Sequence, residues 1–431
     1  MLAQKVAIWS GASLNNAGDR QLAAVTAAEL RVRLPGAVFR HFCPWSHADD
    51  PIPLWIDERG RWPGSKKFDA VVVAGGGVFS GPPFQHPIMQ IFCLGRHPSL
   101  FDPETVVAWH GVGAQERTPI HYFDGAQVQY LDEFLQRADY VAVRDDLSAR
   151  KLRNIKATRI LTIPDPVFSL PPAPQHPRYC GGRPRIALIP GSSEPSQRLR
   201  QQLANQELRD RCPGGAPICV EAPAVSSSDR KDYESRKREI RLLLGIGLFL
   251  SELARHAEID IISDDNIYAD DEFSLRLQAL VPGVHLRSSG GVETHHALTH
   301  HMEPLIRDYD IILASRYHAA ILALRLGKPL VLIDTYRHTC EDETKLRTLS
   351  RLLRSPKRYW APLAGERELD VDTYDTSDLI ASVMGSLRDY EYCALSYESE
   401  HRRARQSFDD LGAFLASRKR KSINDSVIRE D

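Results

Sequence analysis

Along the first 170 residues, short unbroken apolar runs alternate with stretches whose apolar residues return every three or four positions. "KVAIWS", "AVFRHFC", "FDAVVVAGGG", "TVVAWHGVGA" and "YVAVR" read as strands. "DRQLAAVTAAELRVRL", "VQYLDEFLQRAD" and "DDLSARKL" carry helical spacing, and "ATRILTIPDPVFSL" closes this part. Strands that are apolar on both faces, with helices between them, predict a parallel sheet covered on both sides. The alternation restarts at "IALIPGS" and runs through "APICVEAPA", a long helix over about residues 230–256, "IDIISDD", "VHLR", "DYDIILASRYH" and "PLVLID". Between the halves lies "PPAPQHPRYCGGRPR", whose proline and glycine mark a linker. The expectation is two doubly wound α/β domains, residues 1–175 and 176–386, with a helical, charged tail over 387–431 that ends frayed. Such a pair implies a cleft between the carboxyl ends of the two sheets, where open α/β sheets bind ligands.

Composition narrows the class without naming a reaction. Of 431 residues, 42% are hydrophobic and 26% charged, with a formal net charge of −1, which is ordinary for a globular protein of two domains. Nothing in that balance calls for nucleic acid. "LLLGIGLFL" is too short to span a bilayer and lies in an amphipathic pattern, so it reads as a buried helix. The opening "MLAQKVAIWS" enters a strand directly, with no secretory pattern. The seven cysteines are scattered and odd in number, which fits reduced thiols in the cytoplasm rather than a disulfide frame or a zinc site. The basic "SRKRK" of the tail is either a solvated end or a contact with the inner face of an anionic membrane.

The polar motifs fall where strands end. After the first strand, "SLNNAGDRQLAA" offers Asn16, Gly18 and Asp19, which either start a helix or hold sugar hydroxyls. Gly75, Gly76 and Gly77 follow "VVVA"; three in a row exceed what a turn requires and read as a ligand-facing loop, although the pattern is not GxGxxG. His110, Gly111 and Gly113 follow another strand, and His110 is either structural or functional. Arg144 ends a strand beside the acidic helix start of Asp145 and Ser148, a setting suited to an anion.

"ASRYHAAILALRLGKPLVLID" carries the sharpest signal. Ser315 is expected to cap a helix whose amides and positive dipole end face Arg316 and His318. A guanidinium suits phosphate or carboxylate, and an imidazole exchanges protons near neutral pH. Two further clusters point elsewhere: the histidines of "ETHHALTHHMEP" lack a metal motif and read as a solvated helix face, and "SDDNIYADDEF" reads as a polar loop.

Taken in order, "NNAGDRQL", "AGGGVFSG", "HGVGAQ", "VAVRDDLSARKL", "PDPVFSL" and "SRYHAAILALRLGKPLVLID" resemble the polysaccharide pyruvyl transferase family. "TYRHTCEDETKLRTL" resembles the family's aromatic-then-lysine segment, with Tyr336 and Lys345. The resemblance implies a GT-B-like fold of two Rossmann-like domains facing across a cleft, acceptor side first and donor side second. It implies phosphoenolpyruvate as donor substrate, a glycan or lipid-linked sugar as acceptor, a pyruvate ketal as product, and no cofactor or metal. Arg316 and His318 match the family's Arg-x-His pair. On that reading Arg316, Lys345 and the helix start at Ser315 hold the donor, with Arg144 as a further candidate. His318 supplies a proton, Asp19 orients an acceptor hydroxyl, and the glycine loop with His110 lines the acceptor side. The rival enzyme reading is a GT-B glycosyltransferase using a nucleotide sugar, with Glu221 or Asp334 on its ribose. A third is a sugar-binding protein without catalysis.

Overall fold

The computed structural model describes residues 3–10, 17–43, 52–53, 65–78, 101–113, 132, 135–153, 159–174, 179–191, 228–262, 270–287, 298–335, 344–352, 358–361 and 376–427. These form two compact units. The first holds the described residues up to Leu170 and those from Glu400, and the second holds those from Pro171 to Ser399.

In the first unit seven strands pair in parallel in the order β3-β2-β1-β4-β5-β6-β7. They are β1 (Lys5–Trp9), β2 (Val38–Cys43), β3 (Ile52–Pro53), β4 (Ala70–Ala74), β5 (Val106–Val112), β6 (Tyr140–Val143) and β7 (Leu161–Thr162). Helix α1 (Ala17–Arg33) follows β1, and α2 (Asp146–Arg153) follows β6. The sheet is buried on both faces, as its unbroken apolar runs require. Trp9, Val71, Val73, Val107 and Trp109 pack on one side. Val6, Val72, Ala108, Phe408, Leu411 and Leu415 pack on the other. Each valine, leucine or phenylalanine among them contributes about 1.5–3 kcal/mol when taken from water.

The last three of these belong to α9 (Tyr390–Val427). From Glu400 onward this helix contributes Phe408, Leu411 and Leu415 to the first unit's core. Arg33 holds it: its Nε donates to Asp409 at 2.8 Å, and one Nη donates to the carbonyl of Arg405 at 3.1 Å. Gly412 lies against the Arg33 side chain, where a Cβ would come within 2.9 Å.

In the second unit six parallel strands run in the order β10-β9-β8-β11-β12-β13. They are β8 (Arg185–Ile189), β9 (Glu258–Ile262), β10 (His285–Arg287), β11 (Ile311–Ala314), β12 (Leu330–Ile333) and β13 (Tyr359–Trp360). The helices are α3 (Ser228–Leu253), α4 (Asp270–Leu280), α5 (Leu298–Ile306), α6 (Tyr317–Arg325), α7 (Lys345–Leu352) and α8 (Ser377–Gly385). Both sheets therefore have the doubly wound order in which consecutive strands run outward one way and then the other. The reversal falls between β1 and β4 in the first unit and between β8 and β11 in the second. The expected fold class of two Rossmann-like parallel-sheet units is what the chain adopts. "APICVEAPA" lies outside the described residues, and the two-residue strands β3 and β13 were not foreseen.

Candidate active site

Open α/β sheets bind ligands at the carboxyl edge of the reversal point, because there the flanking turns diverge and leave room. In the second unit the residues at that edge are Gly191, two beyond β8, and Ser315, directly after β11. Ser315 donates its amide to the carbonyl of Ile189 at 2.9 Å. A Cβ on Gly191 would come within 3.3 Å of the Ser315 side chain, so glycine lets the two turns close up. Arg316 follows in extended conformation as the N-cap residue of α6, and its side chain makes no cap bond. Ser315 is buried beside Gly191, so it does not serve as the cap expected of it: the helix starts one residue later. His318 stands in the first turn of α6, half-buried, its ring 5.5 Å from that of Tyr317 in an edge contact. Arg316 is half-buried as well.

Lys345 opens α7, the helix after the next strand of the sheet, β12, and is also half-buried. The residue before it fixes this helix start. Thr344 accepts the amide of Arg347 at 3.1 Å, an N-cap bond, and donates its hydroxyl to Asp334. The same carboxylate oxygen accepts from the Tyr359 hydroxyl at 2.7 Å. Burial and the Asp334 charge raise the Tyr359 pKa well above the usual phenol range. Asp334 is fully buried and committed to these two hydroxyls, so it is not the ribose ligand a nucleotide-sugar reading would need. Thus Arg316, His318 and Lys345 stand at helix starts on the carboxyl edge of adjacent strands, where first-turn amides and the helix dipole favour anions.

In the first unit the reversal point brings together the turn after β4 and the start of α1. Gly75 has φ +62°, and a Cβ there would meet Leu22 of α1 at 2.7 Å. Its amide donates to the carbonyl of His110 at 2.9 Å, and the carbonyl of Gly76 accepts from Gly113 at 2.8 Å. Gly75 is buried by this close helix approach, Gly76 is buried as well, and Gly77 is the half-buried member of the three. Gly18 is buried in the first turn of α1. Asp19 belongs to the same turn, but its side chain, like Asn16 and Tyr336, lies outside the described residues.

His110 departs from expectation. It lies within β5 rather than at its rim, on the face covered by α9. Its ring is 4.5 Å from that of Phe408 and stacks on Tyr140 at 6.2 Å, and Nε2 is 3.5 Å from the Ser407 hydroxyl. Nδ1 has no hydrogen-bond partner among the described residues. Burial, reinforced by the Arg33 charge and opposed by Asp165, lowers its pKa to about 3. It is a neutral core histidine and does not line an acceptor site. Gly111, next to it, has φ +69° and is the extra residue of a bulge in β5, which returns Val112 to the Trp109 side. A Cβ there would run into the ring of Pro166.

Arg144 directly follows β6, buried, with Asp145 at 3.4 Å and Asp165 at 3.8 Å. Gly113 leaves space for its guanidinium, which a Cβ would approach to 2.5 Å. Asp145 also accepts the Ser148 amide at 2.6 Å, so Asp145 is the helix cap and Ser148 its beneficiary. Asp165 had not been singled out; "PDP" after a strand was its signal, since Asp165 accepts the Val167 amide at 3.0 Å and opens the turn at Pro166. Thr344 was missed too, although threonine ahead of "KLRTLSRL" fits a cap. Glu221 and residues 263–269 and 288–297 lie outside the described residues. Among the described residues no group of histidine, cysteine and acidic side chains could hold a metal ion, and no helix is long and apolar enough to cross a membrane.

Residues 16–258 match the polysaccharide pyruvyl transferase family. The chain belongs to this family. That matched stretch carries the turns after β1, β4, β5 and β6, while the Arg316-x-His318 pair and Lys345 lie beyond it. As a polysaccharide pyruvyl transferase family member the chain is a transferase. No curated protein matches it. Among solved structures, TarM is 11% identical over 82% of this chain, with a TM-score of 0.37, and this chain spans 54% of TarM. Anabaena HepE in complex with UDP and glucose is 8% identical, covering 98% of this chain and 100% of its own, with a TM-score of 0.46. The lipopolysaccharide outer core galactosyltransferase WaaB is 10% identical, covering 95% and 99%, with a TM-score of 0.49. At these values the likenesses carry no argument about the reaction.

Proposed function

We propose that the protein moves the pyruvyl group of phosphoenolpyruvate onto two hydroxyls of a sugar, in a glycan or its lipid-linked precursor, to form a ketal. The observation that carries this reading is the Arg316-x-His318 pair at the start of α6, on the reversal point of the second sheet. Phosphoenolpyruvate has about three negative charges within a few ångströms, and holding them calls for fixed cations and oriented amides. Arg316 supplies a planar fork, the first turn of α6 supplies amides and dipole, and Lys345 supplies a point charge at the next helix start.

His318 donates a proton to the methylene carbon of the enol as a sugar hydroxyl attacks the neighbouring carbon and loses its own proton. The resulting carbon bears methyl, carboxylate, phosphate ester and one sugar oxygen. Phosphate then leaves as a second hydroxyl of the same sugar adds and gives up its proton, which closes the ketal. Asp19, with Asn16 and the turn at Gly77, is assigned to the acceptor, with Asp19 as the carboxylate that orients a hydroxyl. Of the two carboxylates a nucleotide-sugar reaction would recruit, Asp334 is already engaged and Glu221 lies outside the described residues.

Binding tests the donor assignment directly. By calorimetry, phosphoenolpyruvate binds the wild-type chain and UDP-glucose does not. Arg316→Gln weakens phosphoenolpyruvate binding by roughly tenfold to a hundredfold, the cost of one charge-assisted pair. Unchanged binding in that variant, or tighter binding of the nucleotide sugar, overturns the assignment.

A further inference from the structure

Neighbouring strands β8, β11 and β12 of the second sheet end in small polar residues that crowd together. Ser315 directly follows β11, while Gly191 and Thr335 stand two residues beyond β8 and β12. A Cβ on Gly191 would stand 3.3 Å from the Cβ of Ser315 and 3.4 Å from the hydroxyl oxygen of Thr335. Glycine is what keeps the space between these two side chains clear. Ser315 and Thr335 are 1% and 4% exposed. Their donors are underused all the same. Among the described residues the Ser315 hydroxyl and the amides of Gly191 and Thr335 make no hydrogen bond. The Ser315 hydroxyl is not sealed from solvent. The Thr335 hydroxyl reaches the Gly191 carbonyl at 3.5 Å, beyond the usual range of an O–H donor. Asp334, the next residue, accepts from Thr344 and Tyr359 and leaves the Thr335 hydroxyl to other partners. Native folds leave few buried donors unmet, so a group of them at one strand edge points to an accepting ligand.

The donor set selects the ligand. Two hydroxyls and two amides converging on one small space suit a group that offers several acceptor oxygens in three dimensions. A phosphoryl group does so, and backbone amides with hydroxyls are the usual uncharged cradle for it. Ser315 is joined to Arg316, whose planar fork matches a carboxylate through two parallel bonds. We infer that Gly191, Ser315 and Thr335 form a phosphoryl-binding recess, and that the phosphate of the donor sits in it while the donor's carboxylate lies on Arg316. The second half of this inference rests on the proposed reaction; the first does not. The recess then also acts in the chemical step. When the bond between the central carbon and the phosphate oxygen breaks, the electron pair leaves with the phosphate, and donors already in place meet that charge.

Calorimetry of the full chain with inorganic phosphate, and separately with phosphoenolpyruvate, tests both halves. The wild type binds each. Thr335→Val and Ser315→Ala, each checked for an unchanged melting temperature, weaken the binding of both by about tenfold or more. Thr335→Ser keeps the hydroxyl and binds both as wild type does. A wild type that does not bind inorganic phosphate overturns the recess. So do valine and alanine variants that bind it unchanged, or a serine variant as weak as the valine one, which would make methyl packing the cause. Phosphate binding that the variants lose, with phosphoenolpyruvate bound equally by all forms, keeps the recess and overturns the placing of the donor in it. Phosphate binding that the variants lose, in a chain that does not bind phosphoenolpyruvate at all, keeps the recess and overturns the proposed donor instead.

Discussion

His110→Leu tests how an imidazole buried without charge couples the first unit's stability to pH. In the folded chain the ring is enclosed by Phe408 and Tyr140, and its pKa is lowered to about 3, from 6.5 in an unfolded chain. Above pH 6.5 both states are neutral and the group costs nothing. As pH falls below 6.5 the unfolded chain takes up a proton that the folded chain refuses, so stability is lost at about 1.4 kcal/mol per pH unit down to about pH 3. Between pH 7 and pH 5 the loss comes to about 2 kcal/mol. Leucine is close in volume and cannot titrate. Its introduction strands no hydroxyl, since Ser407 already donates to the carbonyl of Ala404 at 2.7 Å, and it removes a buried Nδ1 that has no partner among the described residues. At pH 7 the variant is therefore at least as stable as wild type, and its advantage grows by about 2 kcal/mol at pH 5. Native-state hydrogen exchange of peptides covering Val106–Val112 reads this within the first unit, with each variant compared with wild type at the same pH so that intrinsic rates cancel. Parallel pH profiles for the two proteins would refute the reasoning and place the histidine in contact with water.

Other outcomes follow from the same geometry. Gly111→Ala destabilises the first unit by about 2 kcal/mol or more, because the site has φ +69° and the added methyl meets Pro166; a thermal melt and loss of exchange protection in β5 check this. Arg33→Ala removes the bonds to Asp409 and to the Arg405 carbonyl, and exchange rises first in the part of α9 beyond Glu400. Thr344→Val removes the cap of α7, costs about 1 kcal/mol and raises KM for phosphoenolpyruvate more than it lowers kcat, because Lys345 loses its fixed position while His318 keeps its own.

The strands were legible because parallel sheets covered on both faces write themselves as unbroken runs such as "AVVVA" and "IILA". Two-residue strands leave no such run, so β3 and β13 escaped. The position of the sharpest motif was legible as well, since a polar tripeptide between an apolar strand and an alanine-rich helix marks a strand end. Which residue begins the helix was not: Ser315 has the better capping side chain, yet the extended backbone at Arg316 puts the start one residue later. His110 was misread for a reason of parity. Both faces of β5 are covered, so alternation does not tell one from the other, and the bulge at Gly111 moves the strand's end two residues past the histidine. Its cover comes from Phe408, almost 300 residues away in sequence, and no local pattern announces such a contact. The glycines after β4 looked like a ligand loop, and the structure gives a nearer cause for Gly75, the approach of Leu22.

In the proposed reaction Arg316 and His318 grip phosphoenolpyruvate and His318 protonates it. Acceptor-dependent release of inorganic phosphate from phosphoenolpyruvate, followed for wild type and His318→Gln over a panel of sugars, tests it most directly. The expected result is release by wild type with at least one sugar, and a rate at least about a hundredfold lower in the variant with phosphoenolpyruvate binding retained. Full turnover by His318→Gln, with its fold intact, would contradict it.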